Sequence, residues 1–115
     1  MRKHHELKAW QEAMELVKEI YRLTREFPKE EIYGLTSQIR RAVCSISLNI
    51  AEGSGNGTDK EFRRYLEIAL RSDYEVVTCL EIAFKLNYCS EEDFQRLTLE
   101  ADEIAAMITG FSKSL

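Results

Sequence analysis

Between Arg41 and Glu52 lie ten consecutive residues, Ala42-Val43-Cys44-Ser45-Ile46-Ser47-Leu48-Asn49-Ile50-Ala51, without a single charged side chain. The run is about half the length required to cross a bilayer, so it reads as part of a buried element in a water-exposed domain. Thr36 upstream is a candidate N-cap and Gly53 downstream can take the left-handed C′ conformation, which frames a helix over 36–52. A helix that is apolar or small around its whole circumference has no face to give to water, so it is covered on every side. In a free-standing bundle each helix normally keeps one outward face. The run therefore calls for an overlying loop or a neighbouring subunit.

Three further helices accompany it. Trp10, Ala13, Met14, Val17, Ile20 and Tyr21 recur at steps of three and four, which puts them on one stripe of a helix over about 6–27. Pro28 ends that helix, since proline disfavours helix in the residue before it and has no N–H to donate. Thr58-Asp59-Lys60-Glu61 fits a capping box and opens a third helix, whose stripe runs from Phe62 through Leu66, Ala69, Val76 and Leu80 to Phe84. Ser90 followed by three acidic residues opens a fourth, with Phe94, Leu97, Ala101, Ile104, Ile108 and Phe111 on its stripe. Gly53-Ser54-Gly55-Asn56-Gly57 reads as a helix C-cap and flexible link. With short connections throughout, the expectation over residues 1–115 is one all-α, up-down-up-down four-helix bundle.

Charge is unevenly placed. The net charge is −4, but segments 1–28, 29–57, 58–89 and 90–115 carry +1, 0, −1 and −4, so the whole excess lies in the last helix. That balance argues against a protein that coats nucleic acid through bulk positive potential. The charged start MRKHHELK is not followed by an apolar segment of signal-peptide kind, and a cytoplasmic location is expected, with no membrane partner. Cys44, Cys79 and Cys89 are odd in number and lack a C-x-x-C spacing, which fits small core residues in a reducing compartment.

The parts of an enzyme are missing from the pattern. Both histidines, His4 and His5, stand together at the N-terminus, and the Glu-x-x-His pairs of a di-metal bundle do not occur, so no catalytic residue, metal or cofactor is expected. Arg40-Arg41 and Arg63-Arg64 are more informative, with Arg71 nearby. Counted from the 53–57 turn, antiparallel second and third helices would bring the two pairs within about 10 Å in height, as one basic patch. The guanidinium fork suits phosphate and carboxylate alike, so both an external anion and inter-helix or inter-subunit ion pairs with Glu52, Glu67, Asp73 or Glu75 remain open. Asp73 lies on the apolar side of its helix and requires a partner if buried, such as Arg40 or Arg41.

The blocks Trp10-Gln11-x-Ala13, Phe27-Pro28-x-Glu30-x-x-Tyr33-Gly34-Leu35, Gln38-Ile39-Arg40-Arg41-Ala42, Ser45-Ile46-x-x-Asn49-Ile50-Ala51-Glu52-Gly53 and Arg64-Tyr65-Leu66-x-Ile68-Ala69-x-x-Ser72-x-x-Glu75 span nearly the whole chain. Together they resemble the bacterial four-helix-bundle proteins encoded in intervening sequences of 23S rRNA genes. That family is similar in turn to the accessory proteins of diversity-generating retroelements, which form homopentameric barrels and bind nucleic acid and a reverse transcriptase. The resemblance implies a ring of bundles, and a ring gives the uncharged helix a natural partner.

The sequence thus leads to a non-enzymatic, homo-oligomeric scaffold, pentameric by the resemblance. Arg40, Arg41, Arg63, Arg64 and Arg71 are the candidate contacts to RNA or a partner protein, and Ile39, Val43, Ile46, Asn49, Ile50 and Glu52 the candidate oligomer interface. The alternative is a protein-protein adaptor without nucleic-acid binding, its arginines serving ion pairs between subunits.

Overall fold

The computed structural model describes residues 3–55 and 57–115. A 3-10 turn at Lys3–Glu6 precedes α1 (Lys8–Thr24); a second at Lys29–Glu31 leads into α2 (Leu35–Ser54), followed by α3 (Asp59–Lys85) and α4 (Glu91–Ser114). Each helix runs antiparallel to its neighbours. Thr24 meets Arg40 across α1 and α2, Gln38 meets Glu75 across α2 and α3, Phe84 stacks on Phe94 across α3 and α4, and Arg96 reaches Glu19 across α4 and α1. The expected up-down-up-down four-helix bundle is therefore the observed one.

The core is built from all four helices, with Leu16 and Ile20 from α1, Ile39, Val43, Ile46 and Ile50 from α2, Leu66, Val76 and Leu80 from α3, and Leu97, Ile104 and Ile108 from α4. Spacing placed Met14 and Tyr21 on the buried stripe of α1, but both sit at its edge, 42% and 36% exposed. His4 and His5, at the start of the chain, pack their rings against Trp10 at 5.0 Å. All three cysteines are free thiols, and burial, with Glu75 nearby, pushes that of Cys79 up to about 11.

The helix ends follow their chemistry. Thr58 Oγ1 accepts the Glu61 N–H at 3.1 Å and Ser90 Oγ accepts the Asp93 N–H at 3.0 Å, as their sequences require. The Glu61 carboxylate, however, turns to Arg64. At the end of α3, Asn87 adopts φ 62°, its N–H bonds Phe84 O, and the Tyr88 N–H bonds Ala83 O at 2.8 Å. That pair of bonds is a Schellman motif, with asparagine in the left-handed position usually held by glycine.

Two expectations at the ends of α2 are corrected. The helix starts at Leu35 instead of being capped by Thr36, and its first N–H is met from upstream by Glu31 Oε1 at 3.0 Å. At the other end α2 continues through Gly53 to Ser54, so Gly53 is not a C′ residue. It is buried, and a Cβ there would lie 2.8 Å from both Phe62 Cδ1 and Tyr65 Cβ. Glycine is required because α3 approaches the α2 backbone too closely for any side chain. Asn56 of the expected link lies outside the described residues.

A further correction concerns the uncharged run. Ile39, Val43, Ile46 and Ile50, candidates for a subunit interface, are all 0% exposed within their own bundle. They fall on the inward stripe of α2 and have no surface left to offer a neighbour. The outward face is uncharged but open: Leu48 is 66% exposed, bordered by half-buried Cys44, Ser45, Asn49 and Ala51. Asn49 bonds Ser45 through its side-chain amide, to Ser45 O at 2.8 Å and Ser45 Oγ at 3.0 Å, and Glu52 is exposed. Ser72 Oγ donates to Ser45 Oγ at 2.8 Å, tying α3 to the same face.

Candidate anion-binding clefts

The five arginines do not form one patch. Gly53 abuts Phe62 and Tyr65, which sets Arg63 and Arg64 level with the C-terminal end of α2. Arg41 and Arg40 lie 12 and 13 residues upstream of Gly53, about 18 Å away along the helix. The two pairs also open onto different grooves, one between α3 and α4 and the other between α1 and α2.

The α3–α4 groove, about 620 Å³, is lined by Lys60, Arg63, Arg64 and Lys113 together with Glu61 and Glu67. Its two arginines are engaged. Arg64 pairs with Glu61 at 3.1 Å and lies over the Tyr65 ring, and Arg63 donates to Leu115 O at 3.1 Å. Arg71, two turns further along α3, pairs with Glu67 at 2.6 Å. Lys113 enters this groove because antiparallel packing brings the last turn of α4 back to the first turn of α3, a neighbourhood that sequence separation conceals.

The α1–α2 cleft, about 360 Å³, is lined by Tyr21, Ile32, Thr36, Ser37, Arg40, Arg41 and Cys44, with no carboxylate in its wall. Arg40 lies over the Tyr21 ring at 4.6 Å and donates from Nε to Thr24 Oγ1 at 2.8 Å. Arg41 donates to Ser37 Oγ at 3.3 Å. Among the described residues neither arginine has an ion-pair partner, whereas Arg22, Arg64, Arg71 and Arg96 each do. The Tyr21 hydroxyl sits 3.7 Å from Cys44 Sγ, and that contact raises its pKa. The wall thus presents two guanidinium groups and three hydroxyls, a donor-rich set suited to an anion.

The connection before α2 forms the rim of this cleft. Glu31 accepts the Leu35 N–H and, at Oε2, the Tyr88 hydroxyl at 2.8 Å; these two bonds hold its carboxyl below the usual range. The turn is closed further by Ile32 N–H to Lys29 O and Gly34 N–H to Glu31 O. It carries Ile32, 49% exposed and part of the cleft wall, and Tyr33, 95% exposed. Sequence reasoning placed Tyr33 in a motif but assigned it no role, because exposure of one aromatic residue leaves no periodic signal.

Asp73 does not meet the arginines. It is 0% exposed in α3, and neither of its carboxylate oxygens accepts a hydrogen bond among the described residues. Arg40 has turned toward α1 and Arg41 toward Ser37, while the charge that reaches Asp73 is Asp102 of α4. Burial, and secondarily that neighbouring charge, push its pKa up to about 7.

The sequence model of the 23S rRNA-intervening sequence protein family matches residues 5–110. This chain belongs to that family. A solved structure of a protein of unknown function from the S23 ribosomal protein family of Bacteroides thetaiotaomicron is similar in fold, with a TM-score of 0.82 over 91% of this chain and 98% of that one, at 22% identity. No curated protein matches the chain. At that identity the structural likeness extends to the fold alone. Among the described residues, no helix is long and apolar enough to cross a membrane, and no His, Cys, Asp and Glu side chains gather into a group able to hold a metal.

Proposed function

We propose that this protein is a non-enzymatic, self-associating helical scaffold, pentameric when assembled, that binds RNA through its clustered arginines. The observation that carries this reading is the α1–α2 cleft, where exposed Arg41 and half-buried Arg40 line a wall with three hydroxyls and no carboxylate. Arg63, Arg64 and Arg71 contribute less per subunit, since Glu61 and Glu67 already share two of them. Those pairs are exposed and i to i+3 or i+4, worth at most about 1 kcal/mol, so an incoming phosphate can displace them. Self-association is supported by the open uncharged face around Leu48, and repeating a modest cleft around a ring multiplies its affinity through avidity.

Filter binding with structured rRNA fragments at low and moderate salt tests the reading. Binding that weakens log-linearly with salt is expected, because phosphate contacts release condensed counterions. Absence of salt-sensitive binding at micromolar protein overturns it. The adaptor reading draws on the same arginines and on the acidic excess of the last helix, which offers carboxylates to a second copy. It requires Arg41→Ala to lower the mass of the assembly in light scattering; an intact assembly that has lost RNA excludes it.

A further inference from the structure

We infer that the α1–α2 cleft and its rim recognise an unpaired nucleotide, the base stacking on Tyr33 and the adjoining phosphate held by Arg40 and Arg41. The inference rests on the RNA reading above and narrows it to loops, bulges and single strands.

Tyr33 is 95% exposed, the most exposed of the large apolar residues, so the bundle gains no packing from it. An aromatic ring left in water on a loose tip would have no particular orientation. This ring stands on a turn pinned from three sides, by Leu35 N–H and Tyr88 Oη on Glu31 and by the backbone bonds of Ile32 and Gly34. An exposed ring carried on a fixed stretch of backbone is a stacking platform, and every base has a face that can use it. Ile32, the preceding residue, forms part of the cleft wall, which places the platform at the edge of the cationic cleft.

The chemistry then selects the state of the RNA. In an A-form duplex the bases are stacked on one another and paired, and the duplex presents mainly phosphates and 2′-hydroxyls. Arg40 and Arg41 alone would take a duplex and a strand with little distinction. Inside a helix the base faces are covered by their neighbours and only the two end pairs are open, so Tyr33 adds affinity chiefly for unpaired RNA. Arg40 is held by Tyr21 and Thr24, so its guanidinium is positioned before a phosphate arrives.

The test is fluorescence anisotropy of the full chain with a labelled single-stranded RNA of mixed sequence, and with the blunt duplex that it forms with its complement. Tyr33→Ala should weaken strand binding by about tenfold or more while leaving duplex binding unchanged, and Tyr33→Phe should keep the strand affinity. Equal loss on strand and duplex, or no loss on either, overturns the inference while leaving the RNA reading in place. A change in assembly mass on Tyr33→Ala also overturns it, since the ring would then be a subunit contact. Failure of the unaltered protein to bind either RNA overturns the RNA reading and this inference with it.

Discussion

The Arg40 guanidinium lies over the Tyr21 ring, 4.6 Å from its centroid, and this contact between α2 and α1 keeps the arginine out of the core and at the wall of the cleft. The ring face supplies attraction to a cation without neutralising it, so the charge remains available to an anion. Tyr21→Ala should destabilise the bundle by about 1 kcal/mol, combining the lost cation–π contact with lost packing at a partly exposed position. Tyr21→Phe keeps the ring and should stay within about 0.5 kcal/mol, since only the hydroxyl contact to Cys44 goes. Urea denaturation of both variants compares the two; equal losses would mean that the hydroxyl contact to Cys44, not the ring face under Arg40, carries the contribution of Tyr21.

At Gly53 the usual ranking of helix formers should reverse. Alanine is favoured over glycine in a helix interior by about 1 kcal/mol. Here the added Cβ meets Phe62 Cδ1 and Tyr65 Cβ at 2.8 Å, and the second of these is fixed to the backbone of α3. Gly53→Ala should therefore push α2 and α3 apart and destabilise by about 1–3 kcal/mol, the range for overpacked cores. Chemical denaturation is the measurement, and a variant more stable than the parent would refute the close approach.

The contrast between Gly53 and Thr58 shows what was legible in the sequence. Caps and stripes are local signals, and Thr58 and Ser90 marked their helix starts from neighbouring residues alone, whereas α1 ends at Thr24, short of the boundary at Phe27 that Pro28 suggested. The bundle followed from four such helices with short links. Gly53 carried two local meanings, a stop or a close approach, and only the partner helix decides between them. The arginines failed for the same reason: Arg40 and Arg63 were levelled by counting from the turn, but the connection advances along the bundle before α3 begins, and the two helices present different faces. Relations between helices are set by packing, which one-dimensional spacing does not encode. Leu48 and Ile46, two residues apart in the same uncharged run, ended on opposite sides of α2.

Asp73 should make stability depend on pH. Its folded pKa, near 7, is raised above the ordinary aspartate value, so folding favours the protonated form. The stability associated with that proton is fully present below about pH 4 and is lost progressively up to about pH 7. The loss amounts to roughly 4 kcal/mol, at about 1.4 kcal/mol per pH unit. Asp73→Asn removes the ionisation and should raise Tm by several degrees at pH 8, with the gain shrinking toward zero near pH 4. Thermal melts of both proteins across that range give the difference directly. A gain independent of pH would show that Asp73 is not the titrating group.

Leu48 offers the sharpest test of assembly. It is 66% exposed on α2, bordered by half-buried uncharged residues with exposed Glu52 one turn on, and lies outside the core. Leu48→Glu should therefore leave the bundle folded, within about 0.5 kcal/mol, the range for surface substitutions away from special contacts. If the open face is where subunits meet, a buried unpaired carboxylate at each contact should dissociate the assembly, because desolvating a charge without a partner is far more costly than burying leucine is favourable. Light scattering should show the mass falling to that of a single 13.4 kDa chain while circular dichroism stays helical. A mass unchanged by Leu48→Glu would place the subunit contact on another face of the bundle.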